Sequence, residues 1–230
     1  MTLPSTASEI GMLAFAWLAC WGISFALIRR GITYIEHPTV TSALFLGFSL
    51  PVVAVWWRRL EPLAGPFRAA PCIALALAIA LTLAAYVFVP RLLRRPDPLI
   101  ARHPEEFYLR MDFRYLVPKS FEVLFQQLVI AVLATLLAET GLPLPGVVLA
   151  FLGIFGVLHL PMLLVIGTGP GLYYSVASVT LAAAFPVLIL RLQSGFLYSY
   201  AAHWFFYTIV AVVAWVAWNR GAEAAAPTGR

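Results

Sequence analysis

The stretch KSFEVLFQQLVIAVLATLLAE, residues 119–139, combines a long apolar run with an acidic side chain, Glu122, close to its start. A run of about 20 apolar residues is what an α-helix needs to cross a bilayer. A charged group at the centre of such a helix costs about 2.5–3.5 kcal/mol on insertion scales, and residues kept at that cost are usually functional. This stretch therefore predicts a transmembrane helix whose glutamate has a function.

The rest of the chain is equally apolar. Of its 230 residues 62% are hydrophobic and 11% are charged, and the mean hydropathy is +0.91. Soluble domains carry about 25% charged residues. We therefore expect an all-α polytopic membrane protein, with about seven transmembrane helices in one bundle and a single integral membrane domain, residues 1–230. The predicted spans are 9–28, 39–57, 70–90, 119–139, 144–166, 170–192 and 195–218.

The basic residues predict the orientation. The net charge of +5 comes mainly from arginines that flank apolar runs, so the positive-inside rule explains it and no nucleic-acid partner is expected. With the N-terminus outside and the C-terminus inside, eleven of the fifteen Lys and Arg residues lie inside. Arg58 and Arg59 oppose this orientation, because they fall in a predicted outside loop. The Arg- and Ala-rich sequence favours a bacterial inner membrane.

Smaller features complete the predicted architecture. Pro186 is expected to kink the sixth span. Cys20 and Cys72 lack CxxC spacing and are expected to be free thiols. The tail 221–230 is expected to be disordered. The polar segment 91–118 is expected to lie at the membrane interface. The side chains expected at its lipid boundary are Phe107, Tyr108, Leu109, Met111, Phe113, Tyr115 and Leu116.

Two further ionisable residues lie inside predicted spans, His159 in the fifth and His203 in the seventh. A carboxylate and two imidazoles can together activate water, since a buried carboxylate can act as a base near neutral pH. Gln126 follows Glu122 by one helical turn, and Tyr207 follows His203 by one turn, on the same helix faces. Plainer explanations are a glutamate that snorkels to water and histidines that hydrogen-bond neighbouring helices or belong to an aromatic belt.

The three polar-bearing segments are FEVLFQQ at 121–127, FGVLHLP at 155–161 and AAHWFFY at 201–207. Together they resemble the CPBP family of intramembrane proteases, also called the CAAX-protease family. Its motifs are EExxxR, FxxxH and HxxxN, each on a separate transmembrane helix. The second segment matches FxxxH in full, and the third matches HxxxN with Tyr207 in place of asparagine.

The first segment matches EExxxR only at its first glutamate, Glu122. Val123 replaces the second glutamate and Gln127 replaces the arginine. In the family these two residues resemble a structural ion pair, and here both members are replaced together. The order of the three motifs also fits, and the resemblance covers about residues 115–210.

The resemblance implies an intramembrane endopeptidase that cleaves membrane-associated proteins, often near the C-terminus. Glu122 would be the general base, His159 its partner in activating water, and His203 a hydrogen-bond donor to the oxyanion. The substrate would be a membrane protein or a lipid-anchored peptide in the bilayer, and neither a cofactor nor a metal is implied. The supporting positions would be Gln126, Gln127, Phe155 and Tyr207.

Several alternatives stay open. A literal EExxxR occurs at residues 105–110, outside any predicted span, and would make Glu105 or Glu106 the base. The degenerate first and third motifs also fit a catalytically inactive relative that binds a partner or a substrate. Two transmembrane histidines could ligate a b-type haem, or a metal such as zinc together with Glu122.

The depths of the candidate residues pose a geometric problem. In a simple up-and-down bundle, Glu122 lies near the inside end of its span and His203 lies nearer the outside end of its own. Their approach requires the fourth helix to start before Pro118, or a break in the sixth or seventh span.

Overall fold

The computed structural model describes residues 5–65, 68–102, 107–161, 163, 176 and 178–224. Over these residues the secondary structure is helical, without a strand, which confirms the expected all-α membrane fold. Two short 3₁₀ turns, Phe107–Arg110 and Phe113–Tyr115, precede α5. The α-helices are α1 (Thr6–Arg29), α2 (Pro38–Ala64), α3 (Ala69–Leu92), α4 (Asp97–Arg102), α5 (Leu116–Glu139), α6 (Leu144–His159), α7 (Ala184–Arg191) and α8 (Gly195–Ala224).

Five of the described helices, α1, α2, α3, α5 and α8, are long and apolar enough to cross a membrane by length and composition. The chain is therefore an integral membrane protein. The other two predicted spans correspond to shorter described helices. Helix α6 has 16 residues, about 24 Å, which is short of the ~30 Å hydrocarbon core. The second short apolar helix covers Ser178–Arg191.

Helix α5 is the centre of the bundle. It packs against α1, α2, α6, α7 and α8. Apolar side chains cover most of its circumference, and its polar face, with Lys119, Glu122 and Gln126, is buried as well. Among its fully buried side chains are Val123, Phe125, Ile130, Ala134 and Leu136. The residues of the first motif are therefore carried by the most buried of the five described helices that are long enough to span a membrane.

One end of the bundle is held by a charged cluster that joins α1, α2 and α5. The guanidinium of Arg59 pairs with Glu9 and with Glu139, each at 2.9 Å. Trp56 Nε1 donates a further hydrogen bond to Glu9 at 2.7 Å. Glu9 is 6% exposed, so its carboxylate depends on these donors. Arg59 therefore lies within α2, and two carboxylates compensate its charge. This compensation explains how a basic residue can lie on the predicted outside.

The described residues between α3 and α5 pack against the bundle. Trp215 Nε1 donates to the carbonyl of Leu109 at 2.7 Å. The Asn219 side chain bonds both the N–H and the carbonyl of Arg94, at 3.0 and 3.1 Å. Phe113 is exposed, as expected. For four other side chains the predicted position at the lipid boundary is wrong, because they pack inside the protein: Tyr108, Leu109, Met111 and Tyr115.

Other local predictions can be compared with the described residues. A turn at Ala183 interrupts the helix just before Pro186, whose missing N–H leaves the carbonyl four residues earlier without its helical partner. This agrees with the predicted kink.

Cys20 and Cys72 are free. Helix α8 continues through Ala224, so the start of the tail predicted to be disordered is helical, and the rest of the tail lies outside the described residues.

Replacing Arg59 with glutamine should lower the free energy of unfolding by about 2 kcal/mol, because the buried Glu9 carboxylate loses its charged donor. Thermal unfolding in detergent, followed by circular dichroism, measures the change. The matched control is Arg58→Gln at the neighbouring exposed position, which should shift stability by less than about 0.5 kcal/mol. Equal losses in the two variants would show that the cluster does not hold the three helices.

Candidate functional site

Glu122 lies near the start of α5 and is 2% exposed. Its Oε1 accepts hydrogen bonds from Lys119 Nζ at 2.5 Å and from Gln126 Nε2 at 2.8 Å. The three residues follow one another at spacings of three and four, so they share one face of the helix. This burial rules out the interpretation that Glu122 snorkels to water.

Lys119 is a site residue that sequence reasoning missed. The sequence used this residue only as one of the basic residues on the predicted inside. In the structure its side chain is buried with Glu122 and forms an ion pair with it. Its Nζ also lies 3.6 Å from the centroid of the Tyr207 ring, which is a cation–π contact. The sequence feature that could have identified Lys119 is its spacing of three residues from Glu122, because residues three apart on a helix are neighbours. Glu122 therefore has a cationic partner on its own helix, three residues before it.

His203, on α8, is joined to α5 through Gln127. Ser199 Oγ donates to Gln127 Oε1 at 2.6 Å, which orients the amide. Gln127 Nε2 then lies 2.7 Å from His203 Nδ1. Because Gln127 Nε2 can only donate, Nδ1 is the acceptor, and the proton of the neutral ring lies on Nε2. His203 therefore presents a hydrogen-bond donor at Nε2.

His159, at the end of α6, has the opposite arrangement. Its Nδ1 lies 2.7 Å from the carbonyl oxygen of Phe155. A carbonyl can only accept, so Nδ1 carries a proton, and in the neutral ring Nε2 keeps a lone pair. The rings of Phe155 and Trp17 pack on the imidazole, with centroids 4.3 and 5.5 Å away. The FxxxH spacing thus has a local physical role, because the Phe155 carbonyl sets the tautomer of the histidine one turn later.

Counting residues along the helices compares the depths of the three candidate residues. Glu122 lies roughly 26 Å before the end of α5, and His159 lies roughly 23 Å after the start of α6, at 1.5 Å per residue. Since α5 and α6 are joined by a short connection, these two positions are level. His203 meets α5 at Gln127, roughly 8 Å along the helix from Glu122.

Both of the helix features that the sequence required for this approach are present. Helix α5 begins at Leu116, before Pro118, and the sixth predicted span is interrupted at Ala183. The interruption at Ala183 lies just before α7, and α8 follows α7 in the chain. His203 on α8 hydrogen-bonds to Gln127 in the N-terminal half of α5.

Two tyrosines complete the polar centre. The Tyr207 ring stacks on His203, with centroids 5.2 Å apart and planes inclined by 12°, and it also receives the Lys119 ammonium. Tyr207 therefore connects the Glu122 group with the His203 group. Tyr34, from the connection between α1 and α2, is buried and interacts with the Glu122 carboxylate. Sequence reasoning missed Tyr34 and Ser199, because no local spacing links either one to its partner.

The described residues do not form the metal site that the sequence left open for Glu122, His159 and His203. Within the described part of the chain, no group of three His, Cys, Asp or Glu side chains is placed to hold a metal ion. Lys119 already provides the positive charge beside Glu122 and would repel a divalent cation at that carboxylate. The alternative bases Glu105 and Glu106 lie outside the described residues.

No protein-family model, curated protein or solved structure matches this chain. The fold and the site define an all-helical membrane protein with a buried polar centre. The relation to the CPBP family rests on the three sequence motifs and is a proposal.

Replacing Lys119 with methionine should lower the free energy of unfolding by about 3–5 kcal/mol, because it leaves the Glu122 charge buried without its cation. The double variant Lys119→Met/Glu122→Gln replaces the pair with neutral side chains of similar size and should recover most of the loss. Thermal unfolding of the wild type, both single variants and the double variant measures the coupling. A double variant as unstable as the sum of the single losses would contradict a buried ion pair.

Proposed function

We propose that this chain is an intramembrane endopeptidase of the CPBP type, which cleaves membrane-associated protein substrates with water. The observation that carries the proposal is the complementary state of the two histidines, with an acceptor at His159 Nε2 and a donor at His203 Nε2. Hydrolysis of a peptide bond needs both properties. An acceptor helps to orient and deprotonate water, and a donor stabilises the oxyanion.

In the proposed reaction, Glu122 takes a proton from a water molecule while His159 Nε2 accepts the second hydrogen bond of that water. The hydroxide oxygen bonds to the carbonyl carbon of the substrate, and the carbonyl oxygen becomes an oxyanion. His203 Nε2–H donates a hydrogen bond to this oxyanion. The C–N bond then breaks, and the proton held by Glu122 passes to the leaving nitrogen.

The surrounding residues would position these groups. Gln127, oriented by Ser199, holds the His203 tautomer in which Nε2 is the donor. Tyr207 stands where the family has asparagine and packs on the His203 ring, so it would fix the plane of the ring. Lys119 compensates the charge of Glu122 between catalytic cycles.

A specific observation favours a second candidate, a catalytically inactive CPBP-like protein that binds a partner or a substrate. Oε1 of Glu122 already accepts hydrogen bonds from Lys119 and Gln126, and Tyr34 interacts with the same carboxylate. These donors occupy lone pairs of the carboxylate and leave less space for a water molecule beside it. An inactive relative would keep all of these contacts.

The proposal also covers the membrane in which the protein lies, its orientation there and the path by which a substrate reaches the site. The distribution of basic residues supports an N-outside, C-inside orientation, and we place the protein in a bacterial inner membrane. The substrate would be a membrane protein or a lipid-anchored peptide that reaches the buried centre from the bilayer.

Cleavage should be lost in Glu122→Gln and in His159→Ala, because each removes a group that activates water. His203→Ala should retain cleavage reduced by about 10²–10³-fold, the effect of losing one oxyanion donor. The assay incubates the purified protein with membranes from a host strain that lacks the gene and identifies new peptide termini by mass spectrometry. The matched control is Glu61→Gln, an exposed carboxylate in α2.

The outcomes separate the two candidates. Undiminished cleavage by Glu122→Gln would refute its role as the base. Absence of cleavage by the wild type, together with binding of a membrane partner that survives both Glu122→Gln and His159→Ala, would favour the inactive relative.

A further inference from the structure

A cavity of about 310 Å³ lies between α1 and the end of α6. Its α1 wall contains Trp17, Trp21, Phe25 and Arg29, and His159 lines it from α6. Residues four apart share one helix face, so the α1 wall is a continuous stripe that starts at the buried Trp17 and ends at the exposed Arg29. At 1.5 Å per residue this stripe is roughly 18 Å long.

Two polar groups on this wall are left without a partner among the described residues. Trp21 Nε1 is a buried N–H that donates to no acceptor, whereas Trp17 Nε1 donates to the carbonyl of Leu158 at 3.3 Å. The Arg29 guanidinium has no carboxylate of the described residues within ion-pair distance. A buried donor without an acceptor is costly, so an acceptor from outside the chain would be favoured here.

We propose that this cavity binds one anionic phospholipid, with its phosphate at Arg29, an ester oxygen near Trp21 Nε1 and an acyl chain along Trp17 and Phe25. The charge of Arg29 complements the phosphate, and a guanidinium can bind phosphate oxygens with two hydrogen bonds. The aromatic wall excludes water from the acyl chain.

The length of the site also fits a phospholipid. The hydrocarbon core of a bilayer is about 30 Å thick, so the ~18 Å stripe spans slightly more than one leaflet. Arg29 lies in the last turn of α1, where a membrane-spanning helix reaches the headgroup region. The inference does not depend on the proposed peptidase, although the acyl chain would pack close to His159.

Native mass spectrometry of the detergent-purified full chain, with equal amounts of phosphatidylglycerol and phosphatidylethanolamine, tests the proposal. The wild type should retain one phosphatidylglycerol in preference to phosphatidylethanolamine. Arg29→Gln should lower this preference about fivefold, the effect of about 1 kcal/mol for one basic residue near an anionic headgroup. The matched control is Arg30→Gln, which removes the adjacent charge outside the cavity wall and should keep the preference.

A second pair of variants tests the cavity itself. Gly22 lines the cavity, and a Cβ built there meets nothing within 4 Å, so Gly22→Leu should fill the space without a clash. This variant should retain neither lipid, whereas Gly153→Leu, at an equally open helical glycine outside the cavity wall, should bind like the wild type. Leucine is the better helix former at both positions, and circular dichroism verifies that both variants fold.

Loss of the retained phosphatidylglycerol in Arg29→Gln and Gly22→Leu, with both controls unchanged, would support the site. Equal retention of the two lipids by the wild type would overturn the proposal, because it indicates only annular lipid. Equal losses in Arg29→Gln and Arg30→Gln would also overturn it, because they indicate a diffuse surface charge.

Discussion

The buried ion pair of Lys119 and Glu122 is the interaction on which the rest of the structure depends. Two charges on an apolar helix are costly in lipid, and their mutual attraction offsets that cost only when further hydrogen bonds surround them. The required groups come from α5 itself, from α8 and from the connection between α1 and α2: Gln126, Tyr207 and Tyr34. Helix α5 must therefore be enclosed, and the other helices pack around it.

The same helix organises the second polar group. Gln126 and Gln127 are neighbours in sequence, but successive residues on an α-helix point about 100° apart. Gln126 therefore bonds Glu122 within α5, while Gln127 reaches His203 and Ser199 on α8. One pair of glutamines thus contributes to both halves of the candidate site.

The opposite end of α5 is held by charge as well. Arg59 joins the carboxylates of Glu9 and Glu139, so α1, α2 and α5 are cross-linked near one membrane surface, far along α5 from Glu122. Helix α5 is thereby fixed at one end by a partly exposed ion-pair network and at the other by a buried one. Solvent screens the first network more than the second.

The sequence by itself determined the helices, the membrane environment and the three helices that carry Glu122, His159 and His203, because apolar length and backbone hydrogen bonding are local properties. The His159 tautomer is local too, since its partner lies one turn away. Only the tertiary structure decided that Gln127 meets His203, and that the side chains around Tyr108 face protein instead of lipid. These contacts depend on the rotation and depth of each helix against its neighbours, and hydropathy does not encode either quantity.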